Sequence, residues 1–370
     1  MKIGIACGGT GGHLFPGLAC AAVLRGRGHE VTLWLAGRPG EAEALAGWGG
    51  AAHTVPSRGL SSRAPWAIAR AAWRMAAAAR RCRALMARSV PDVLLAMGSY
   101  ASVGPAVAAR ALRVPVVLHE ANVVPGRAVR WLSRSADAVA LGFDETRSRL
   151  AHGRLVTTGM PLRRAAPEAA PDAAWSALDP AAFTVLVMGG SGGARRLNRL
   201  ALEAILRLRA DGQALQAIHL AGRQDEPDLR RAYREAGVPA AVFGFLNDMP
   251  RAYRLASLAV CRSGASTCAE LAEQGVPALL VPYPFAAGRH QSANAAAVAA
   301  AGAAAWREEA GLTADWLAGF ILGLMRDPER LAAMRAAAVR RRTSDPAERL
   351  ADLVEAVGRE NAAVRGGRAS

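Results

Sequence analysis

Three glycine-rich segments in this chain each follow a short apolar run: Gly8–His13, Met97–Pro105 and Gly189–Ala194. Glycine lets a phosphate group approach the backbone closely, and the N-terminus of a following helix favours negative charge. The first segment lacks the spacing of a Walker A motif, and no Lys-Ser or Lys-Thr pair follows it. A tight turn without a ligand explains any one of these segments equally well. Three in one chain, two of them opening similar halves, predict ligands that carry phosphate.

Two side chains in the first half of the chain could act as a general base. His13 ends the first glycine segment, where the N-terminus of a helix disfavours the imidazolium ion and keeps the ring neutral. Glu120 follows an apolar run in the sequence His119-Glu120-Ala121-Asn122, and ligands of open α/β sheets bind at the carboxyl ends of strands. His13 is the first choice of base and Glu120 the second, although a lone histidine is more often structural. A helix cap or a turn remains the alternative for Asn122.

Polar residues in the second half suit a sugar attached to a nucleotide. Glu270 lies near the N-terminus of a predicted helix, Cys268–Gln274, where its carboxylate could accept hydrogen bonds from both hydroxyls of a ribose. The alternative is compensation of the helix dipole on a solvated turn, worth about 0.3–1 kcal/mol. Gln291 and Asn294 carry amides that both donate and accept hydrogen bonds, which suits a neutral sugar.

Strand and helix patterns alternate along the chain, and these elements must position the residues above. The predicted strands are Ile3–Cys7, His29–Leu35, Asp92–Met97, Val114–His119, Thr184–Met188, Leu258–Cys261 and Ala278–Val281. The predicted helices include Leu14–Arg27, Arg195–Arg209 and Ala347–Val357. Short apolar runs between turn residues are typical of buried parallel strands. The alternation therefore predicts the α/β class with doubly wound parallel sheets.

The order strand, glycine loop and helix occurs twice, about half a chain apart. Between the two copies, Pro161–Pro180 contains four prolines among alanine and charged residues, which indicates a linker. A chain of 370 residues is also long enough for two domains of about 100–200 residues each. We therefore predict two Rossmann-like domains facing each other across a cleft, residues 1–163 and 164–345, followed by a C-terminal helix and tail at 346–370. That helix could pack on either domain.

The charge of the chain is strongly asymmetric. The formal net charge is +16, of which residues 1–163 carry +13 and residues 164–370 carry +3. This excess in the first half predicts an anionic partner, such as nucleic acid, a membrane surface or a phosphorylated substrate. The five cysteines are scattered without a C-x-x-C pair, which argues against a disulfide framework and favours a reduced protein of the cytosol. No targeting segment is visible, and no uninterrupted apolar run reaches the ~18 residues of a transmembrane helix.

Together these motifs resemble those of the MurG family, the peripheral-membrane N-acetylglucosaminyltransferases that make lipid II in peptidoglycan synthesis. The resemblance spans nearly the whole chain in order and rests on Gly8–His13 with Pro16-Gly17, His119–Asn122, Gly159–Arg163, Gly189–Ala194, Cys261–Glu270 and Gln291–Asn294. It implies the GT-B fold, with two Rossmann-like domains and the active site between them. It also implies inverting transfer of N-acetylglucosamine from UDP-N-acetylglucosamine to the C4 hydroxyl of MurNAc in lipid I, an undecaprenyl-pyrophosphoryl-MurNAc-pentapeptide. The implied location is the cytoplasmic face of the plasma membrane, where other cell-wall and division proteins are potential partners.

The same resemblance assigns ligand contacts to individual residues. The implied contacts with UDP-N-acetylglucosamine are Thr10, Gly11, Gly12, Asn122, Arg163, Ser191, Leu246, Ala265, Ser266, Thr267, Cys268, Ala269, Glu270, Gln291 and Asn294. The pyrophosphate of lipid I is placed near Gly9, Gly12, Ser99 and Tyr100. No Asp-x-Asp motif stands where a divalent metal would hold the diphosphate, so we predict neither a cofactor nor an essential metal. The chain departs from the family at Ala121, Met160 and Arg289, where Gln, Asn and Asp are usual.

The segment between Glu43 and Asp92 predicts a membrane contact independently of the resemblance. It contains eight arginines and no acidic residue, and Pro65 can open a helix there that runs to about Arg83. At about 100° per residue, tryptophans and arginines form neighbouring stripes, while Ile68, Met75 and Cys82 form another that should face the core. The predicted membrane contact consists of Arg63, Trp66, Arg70, Trp73 and Arg74. Such a surface suits the headgroup boundary of an anionic membrane; the alternative is a surface helix whose tryptophans pack against a neighbouring loop.

Three other functions fit parts of these observations. The nearest rival is a GT-B transferase acting on another lipid or on a natural-product acceptor, and competition between lipid I and diacylglycerol would separate it. A nucleotide-cofactor oxidoreductase shares the glycine loops, but the first loop is not G-x-G-x-x-G and no acidic residue ends the second predicted strand. Nucleic-acid binding rests on charge alone, without an RNA-binding or zinc-finger signature, and is not predicted.

Overall fold

The chain divides into two domains, and the second is inserted before the C-terminal segment of the first. The computed structural model describes residues 1–38, 40–55, 65–162, 175–190 and 194–366. The first domain consists of Met1–Arg163 together with Thr343–Ser370, and the second domain of Arg164–Arg342. Of the predicted site residues, Arg63, Arg163 and Ser191 lie outside the described residues, as does most of the predicted linker.

In the part of the first domain that the structure describes, seven parallel strands form one sheet. They are β1 (Lys2–Ala6), β2 (Glu30–Leu35), β3 (Ala52–Thr54), β4 (Val93–Ala96), β5 (Val116–Glu120), β6 (Ala138–Leu141) and β7 (Leu155–Thr157). Their spatial order is β3-β2-β1-β4-β5-β6-β7, so the strand order reverses between β1 and β4. Ligands of such sheets bind in the crevice beyond the carboxyl ends of the strands at this switch point. The loops after β1 and β4 are the first two glycine segments.

Helices cover both faces of this sheet because its strands are apolar on both sides. The helices of the first domain are α1 (Gly11–Gly26), α2 (Glu41–Ala44), α3 (Pro65–Met86), α4 (Val103–Ala111), α5 (Arg127–Leu132) and a C-terminal helix (Pro346–Gly366). One core lies between the sheet, α1 and the C-terminal helix, and includes Ile5 and Leu33. The other lies between the sheet and α3, α4 and α5, and includes Leu94 and Leu118.

The second domain repeats this plan, with six parallel strands among its described residues. They are β8 (Thr184–Met188), β9 (Gln216–Leu220), β10 (Ala240–Phe243), β11 (Leu258–Cys261), β12 (Ala278–Leu280) and β13 (Ala304–Trp306). Its helices are α6 (Arg195–Ala210), α7 (Glu226–Glu235), α8 (Met249–Leu255), α9 (Ala265–Gln274), α10 (His290–Ala300), α11 (Ala314–Met325) and α12 (Pro328–Arg340). The order β10-β9-β8-β11-β12-β13 is that of a Rossmann sheet, with its switch point between β8 and β11.

Two helices begin earlier than the sequence pattern predicts, and this changes the position of Glu270. Helix α1 begins at Gly11 and α9 at Ala265, each after an extended N-cap residue. Small residues that read as loop in the sequence therefore form the first helical turn. Glu270 lies in the second turn of α9, where interaction with the helix dipole has largely fallen off. The alternative role of Glu270, compensation of the helix dipole, therefore does not account for a carboxylate at this position.

The C-terminal helix packs on the first domain. Its apolar residues Leu350 and Val354 are fully buried in the core beside α1. At the end of α1, the Arg27 guanidinium pairs with Asp352 at 2.8 Å and with Glu355 at 3.0 Å. Burial of the apolar stripe holds the helix on this domain, and the ion pairs fix its register against α1.

Most of the described side chains in the N-terminal half of α3 are exposed; that of Ile68, predicted to face the core, lies outside the described ones. Trp66 and Trp73 are 65% and 68% exposed, and Arg70 stacks over the Trp66 ring at 5.3 Å. Cys82 is buried, but Met75 is 38% exposed, so the prediction that Met75 faces the core is wrong. The reason is length: α3 has 22 residues and α4, on which it packs, has nine. Within the described residues, no helix combines the length and apolar character that crossing a bilayer requires.

Candidate active site

The glycine loop after β1 is held closely against its neighbours. A Cβ at Gly8 would lie 2.4 Å from the backbone nitrogen of Ala36, so no larger residue fits without displacing the loop after β2. Gly9 has a φ of +131°, which other residues rarely adopt. The Ser99 hydroxyl, in the loop after β4, donates to the Gly8 carbonyl at 2.9 Å. The two loops at the switch point are therefore joined to each other.

His13 lies in the first turn of α1, beside both loops. Its Nδ1 is 2.8 Å from the carbonyl oxygen of Met97, and because a carbonyl only accepts, Nδ1 carries the proton. In the neutral ring, Nε2 is then the atom that can take a proton from a substrate. A Cβ at Gly9 would lie 3.8 Å from His13 Cδ2, and one at Gly98 would lie 3.5 Å from Cε1. Nε2 stands between these two carbons, so the two glycine loops border the proton-accepting edge of the ring.

The predicted pyrophosphate contacts are not equally available. The Gly9 N–H donates to Oε1 of Glu41 at 2.9 Å, and the Ser99 hydroxyl donates to Gly8. The Gly9 amide is therefore occupied by Glu41 in this structure, and the predicted contact of Gly9 with a pyrophosphate stays a prediction. Gly12 and Tyr100, the other two predicted pyrophosphate contacts, are exposed, as are the neighbouring Thr10 and Gly11, which are predicted donor contacts. The N–H groups at the start of a helix lack the usual partner four residues earlier, and in α1 that of His13 donates to the Thr10 carbonyl at 2.9 Å. The start of α1 therefore stays a predicted anion site.

Glu120 is buried at the end of β5 and organises the loop that follows. Its Oε1 accepts the backbone N–H of Asn122 at 2.9 Å and the side-chain amide of the same residue at 3.3 Å. Its Oε2 accepts the N–H of Gly126 at 2.8 Å. Because both oxygens already accept hydrogen bonds from this loop, the geometry favours His13 over Glu120 as the base.

His119 links β5 to the segment after β7. Its Nε2 lies 3.2 Å from the carbonyl of Gly159, so this nitrogen is the donor. Burial lowers the pKa of His119 to about 4, although the hydrogen bond to Gly159 acts in the opposite direction. The ring is therefore neutral near pH 7, and it holds the backbone at Gly159. Gly159 itself has a φ of +77°, and a Cβ there would lie 2.7 Å from Thr343.

Glu270 on α9 is the acid predicted to hold the ribose of the donor. The hydroxyl of Tyr253, on α8, donates to Glu270 Oε2 at 2.6 Å. Burial raises the pKa of Glu270, and the hydrogen bond from Tyr253 partly counteracts this. A carboxylate has about four acceptor sites. Tyr253 thus orients the group while leaving acceptor capacity for the two hydroxyls of a ribose.

A buried ion pair shapes the loops after β11 and β12. Arg262 Nη2 lies 2.7 Å from Glu309 Oε2, and Nη1 donates to two carbonyl oxygens at the end of β12, at 3.2 and 3.1 Å. The hydroxyl of the next residue, Ser263, donates to the carbonyl of Gln291 at 2.9 Å. These contacts fix the position of Gln291, which is the second residue of α10.

The two predicted sugar-reading amides on α10 have different surroundings. Gln291 is partly exposed, and its Oε1 accepts the N–H of Tyr283 at 2.9 Å. Asn294 has no exposed surface, and its Nδ2 donates to the Ser263 carbonyl at 3.1 Å. Burial is at odds with the predicted contact between Asn294 and the sugar. A buried amide finds its partners within the protein, and this one stabilises the loop after β11.

The other described residues predicted as donor contacts in the second domain are Leu246, in the loop after β10, and residues in the first two turns of α9. Ser266, Thr267, Ala269 and Leu246 are half-buried, and Ala265 and Cys268 are buried. Burial raises the pKa of the Cys268 thiol to about 12. Cys268 is therefore a neutral packing residue, and any contact with a ligand falls to its backbone.

Comparison with known proteins decides the family. Residues 3–141 match the glycosyltransferase family 28 N-terminal domain, and residues 184–352 match the C-terminal domain of that family. Relatives from Methylobacterium sp. and Sinorhizobium fredii are 44% and 40% identical over 359 and 356 residues, covering 95% of this chain and 95% and 94% of theirs. Both are named UDP-N-acetylglucosamine–N-acetylmuramyl-(pentapeptide) pyrophosphoryl-undecaprenol N-acetylglucosamine transferase. The crystal structure of Acinetobacter baumannii MurG is similar, with a TM-score of 0.78 and 28% identity, covering 96% of this chain and 99% of that one. The chain belongs to the MurG family of glycosyltransferases.

Membership of the MurG family confirms the resemblance that the motifs carry. It also confirms the GT-B class and the assignment to the glycosyltransferases, and it removes the oxidoreductase alternative. The individual ligand contacts remain predictions, now limited by the contacts described above.

Four residues shape these MurG-family sites without a clear signal in the sequence: Glu41, Tyr253, Arg262 and Glu309. Arg262 stands inside the motif Cys261–Glu270, but its type alone does not reveal that it is buried. The other three each contact a group that is remote in sequence: Gly9 for Glu41, Glu270 for Tyr253 and Arg262 for Glu309. Only the fold brings these pairs together.

Proposed function

We propose that this chain transfers N-acetylglucosamine from UDP-N-acetylglucosamine to the C4 hydroxyl of MurNAc in lipid I, with inversion, to give lipid II. The observation that carries the proposal is the likeness over nearly the full length to curated relatives, at 35–44% identity, whose names state the donor, the acceptor and the transfer of N-acetylglucosamine. The first domain supports it, because a histidine with a proton-accepting Nε2 lies beside two glycine loops. An acceptor with a sugar hydroxyl close to a pyrophosphate needs such a combination of base and anion site.

In this proposal the reaction is a single in-line displacement. His13 Nε2 takes the proton of the C4 hydroxyl as that oxygen bonds to C1 of N-acetylglucosamine, while the bond from C1 to the diphosphate oxygen breaks. One displacement inverts the configuration at C1, and UDP leaves with the bonding electron pair. N–H groups at the start of α6 and α9, with Arg163 and Ser191, would stabilise the charge on the diphosphate. Glu270 would hold the ribose and Gln291 the sugar.

Release of UDP from a panel of sugar nucleotides, with a lipid I analogue as acceptor, tests this proposal. We expect release only when UDP-N-acetylglucosamine and the lipid I analogue are both present, and a β-linked disaccharide as product. Turnover with diacylglycerol in place of the analogue would contradict the acceptor. Faster turnover with another sugar nucleotide would contradict the donor.

We further propose that the first domain docks through α3 on the anionic cytoplasmic surface of the plasma membrane. The exposed rings of Trp66 and Trp73 lie among exposed arginines, including Arg70 and Arg74. Tryptophan rings favour the membrane interface, and arginine is attracted to anionic headgroups. Helix α5 of the same domain adds an exposed Trp131 beside three exposed arginines. The surface lies on the domain proposed to receive a lipid-borne acceptor.

The variant Trp66→Ser/Trp73→Ser/Arg70→Glu should bind anionic vesicles at least about tenfold more weakly than wild type, since each arginine near the surface contributes ~1 kcal/mol and two rings are also lost. Wild type should bind anionic vesicles in a salt-sensitive manner and neutral vesicles poorly. Sedimentation with vesicles measures both, and the variant should still bind UDP. The control Trp306→Ser/Arg335→Glu removes exposed groups from the second domain and should bind like wild type. Equal vesicle binding by the triple variant and wild type would exclude α3 as the docking surface.

A further inference from the structure

A buried carboxylate joins two loops of the first domain. Glu41, the first residue of α2, is 4% exposed. Its Oε1 accepts the N–H groups of Gly9 at 2.9 Å and Ala36 at 3.3 Å. Its Oε2 accepts those of Gly37 at 2.7 Å and Arg38 at 3.1 Å. One side chain thus ties the glycine loop after β1 to the loop after the neighbouring strand β2.

This arrangement requires an acceptor at both oxygens of Glu41. All four partners are backbone N–H groups, which only donate. A glutamine at this position keeps the size of the side chain but turns an NH₂ group toward two of these donors. Those two N–H groups would then be left without an acceptor, which a buried site tolerates poorly.

Gly9 connects Glu41 to His13. The hydrogen bond to Glu41 fixes the orientation of the Gly9 amide. The backbone φ angle of Gly9 is +131°, which residues with a side chain rarely adopt. The ring of His13 lies next to this residue, since a Cβ at Gly9 would be 3.8 Å from His13 Cδ2. The His13 N–H also donates to the carbonyl of Thr10, which follows Gly9, at 2.9 Å. The conformation of Gly9 therefore sets where the Nε2 edge of His13 stands.

We propose that Glu41 is a positioning residue for sugar transfer: it holds Gly9 and, through Gly9 and Thr10, the proton-accepting edge of His13. This inference rests on the proposed function. Its effect falls on turnover and not on donor binding, because Glu41, Gly9 and His13 belong to the first domain and Glu270 belongs to the second.

Glu41→Gln should lower kcat for the lipid I analogue by about 10–100-fold, because small displacements of a reacting group cost up to ~10²-fold in rate. The KM for UDP-N-acetylglucosamine should stay close to the wild-type value. The matched control is Glu43→Gln on the same helix, where the side chain is exposed and the charge change is identical. Its kcat should equal that of wild type.

A second measurement needs no turnover. The ring-nitrogen resonances of His13 in ¹⁵N-histidine-labelled protein should move in Glu41→Gln and stay in place in Glu43→Gln. A purely structural role predicts a lower melting temperature with unchanged His13 resonances and unchanged kcat per folded molecule, and that result would overturn the inference. If wild type does not use the lipid I analogue, the proposed function fails on its own. The His13 resonances then still decide whether Glu41 positions this ring.

Discussion

Replacing His13 with alanine is expected to lower kcat for the lipid I analogue by about 10²–10⁴-fold, the usual contribution of a general base. The substitution removes Nε2, which the Nδ1 hydrogen bond to Met97 leaves as the proton-accepting atom of the neutral ring. Donor binding should survive, because most predicted donor contacts lie in the second domain. Steady-state kinetics of UDP release, with each substrate varied in turn, separates the two effects.

Glu120→Gln is the matched comparison for this prediction, since Glu120 is the other candidate base. We expect a smaller loss of kcat, because a glutamine oxygen can still accept one of the hydrogen bonds from Asn122 and Gly126. A loss of less than about tenfold in His13→Ala, together with an almost inactive Glu120→Gln, would exchange the two roles.

The strands were predictable because of the way a parallel sheet is buried. Strands covered on both faces stand out as short apolar runs between turn residues, and Thr184–Met188 and Leu258–Cys261 agree with the structure at both ends. The starts of α1 and α9 were not predictable, because glycine, alanine and serine in a first turn read as loop. The predicted burial of Met75 was wrong for a different reason. The spacing of apolar residues shows which residues share a face of a helix, but not how long the neighbouring helix that covers this face is.

The sequence predicted which loops form the sites, but not which hydrogen bonds the residues of those loops make. The motifs place His13 and Glu270 after strands of the two sheets. Ligands of such sheets bind beyond the carboxyl ends of the strands, so both residues are predicted to lie near a ligand. Whether a polar group meets a ligand or the protein depends on partners far away in the sequence. The Gly9 amide is taken by Glu41, 32 residues away, and the Asn294 amide by Ser263, 31 residues away. No residue type or spacing in the sequence reports these pairings.

Glu270→Ala should raise the KM for UDP-N-acetylglucosamine by about 10–100-fold, because a lost hydrogen bond to a charged group is worth ~1.5–3 kcal/mol. The KM for the lipid I analogue should change much less. Glu273→Gln is the matched control: Glu273 lies one turn further along α9 and pairs with Arg342 at 2.8 Å. Removing that carboxylate should leave the donor KM unchanged, so a loss confined to Glu270 assigns the effect to this carboxylate alone.

The pH dependence of donor binding tests the same carboxylate independently. Burial raises the pKa of Glu270, so its protonation begins at a higher pH than for an ordinary glutamate. Protonation removes acceptor capacity, and UDP affinity measured by calorimetry should therefore weaken as the pH falls through this range. Tyr253→Phe removes the hydrogen bond that lowers this pKa, so the weakening should begin at a still higher pH. In Glu270→Gln, this loss of UDP affinity at low pH should be absent, because the amide does not titrate. Identical pH dependence in wild type and Glu270→Gln, or an unchanged donor KM in a folded Glu270→Ala, would remove Glu270 from the ribose site.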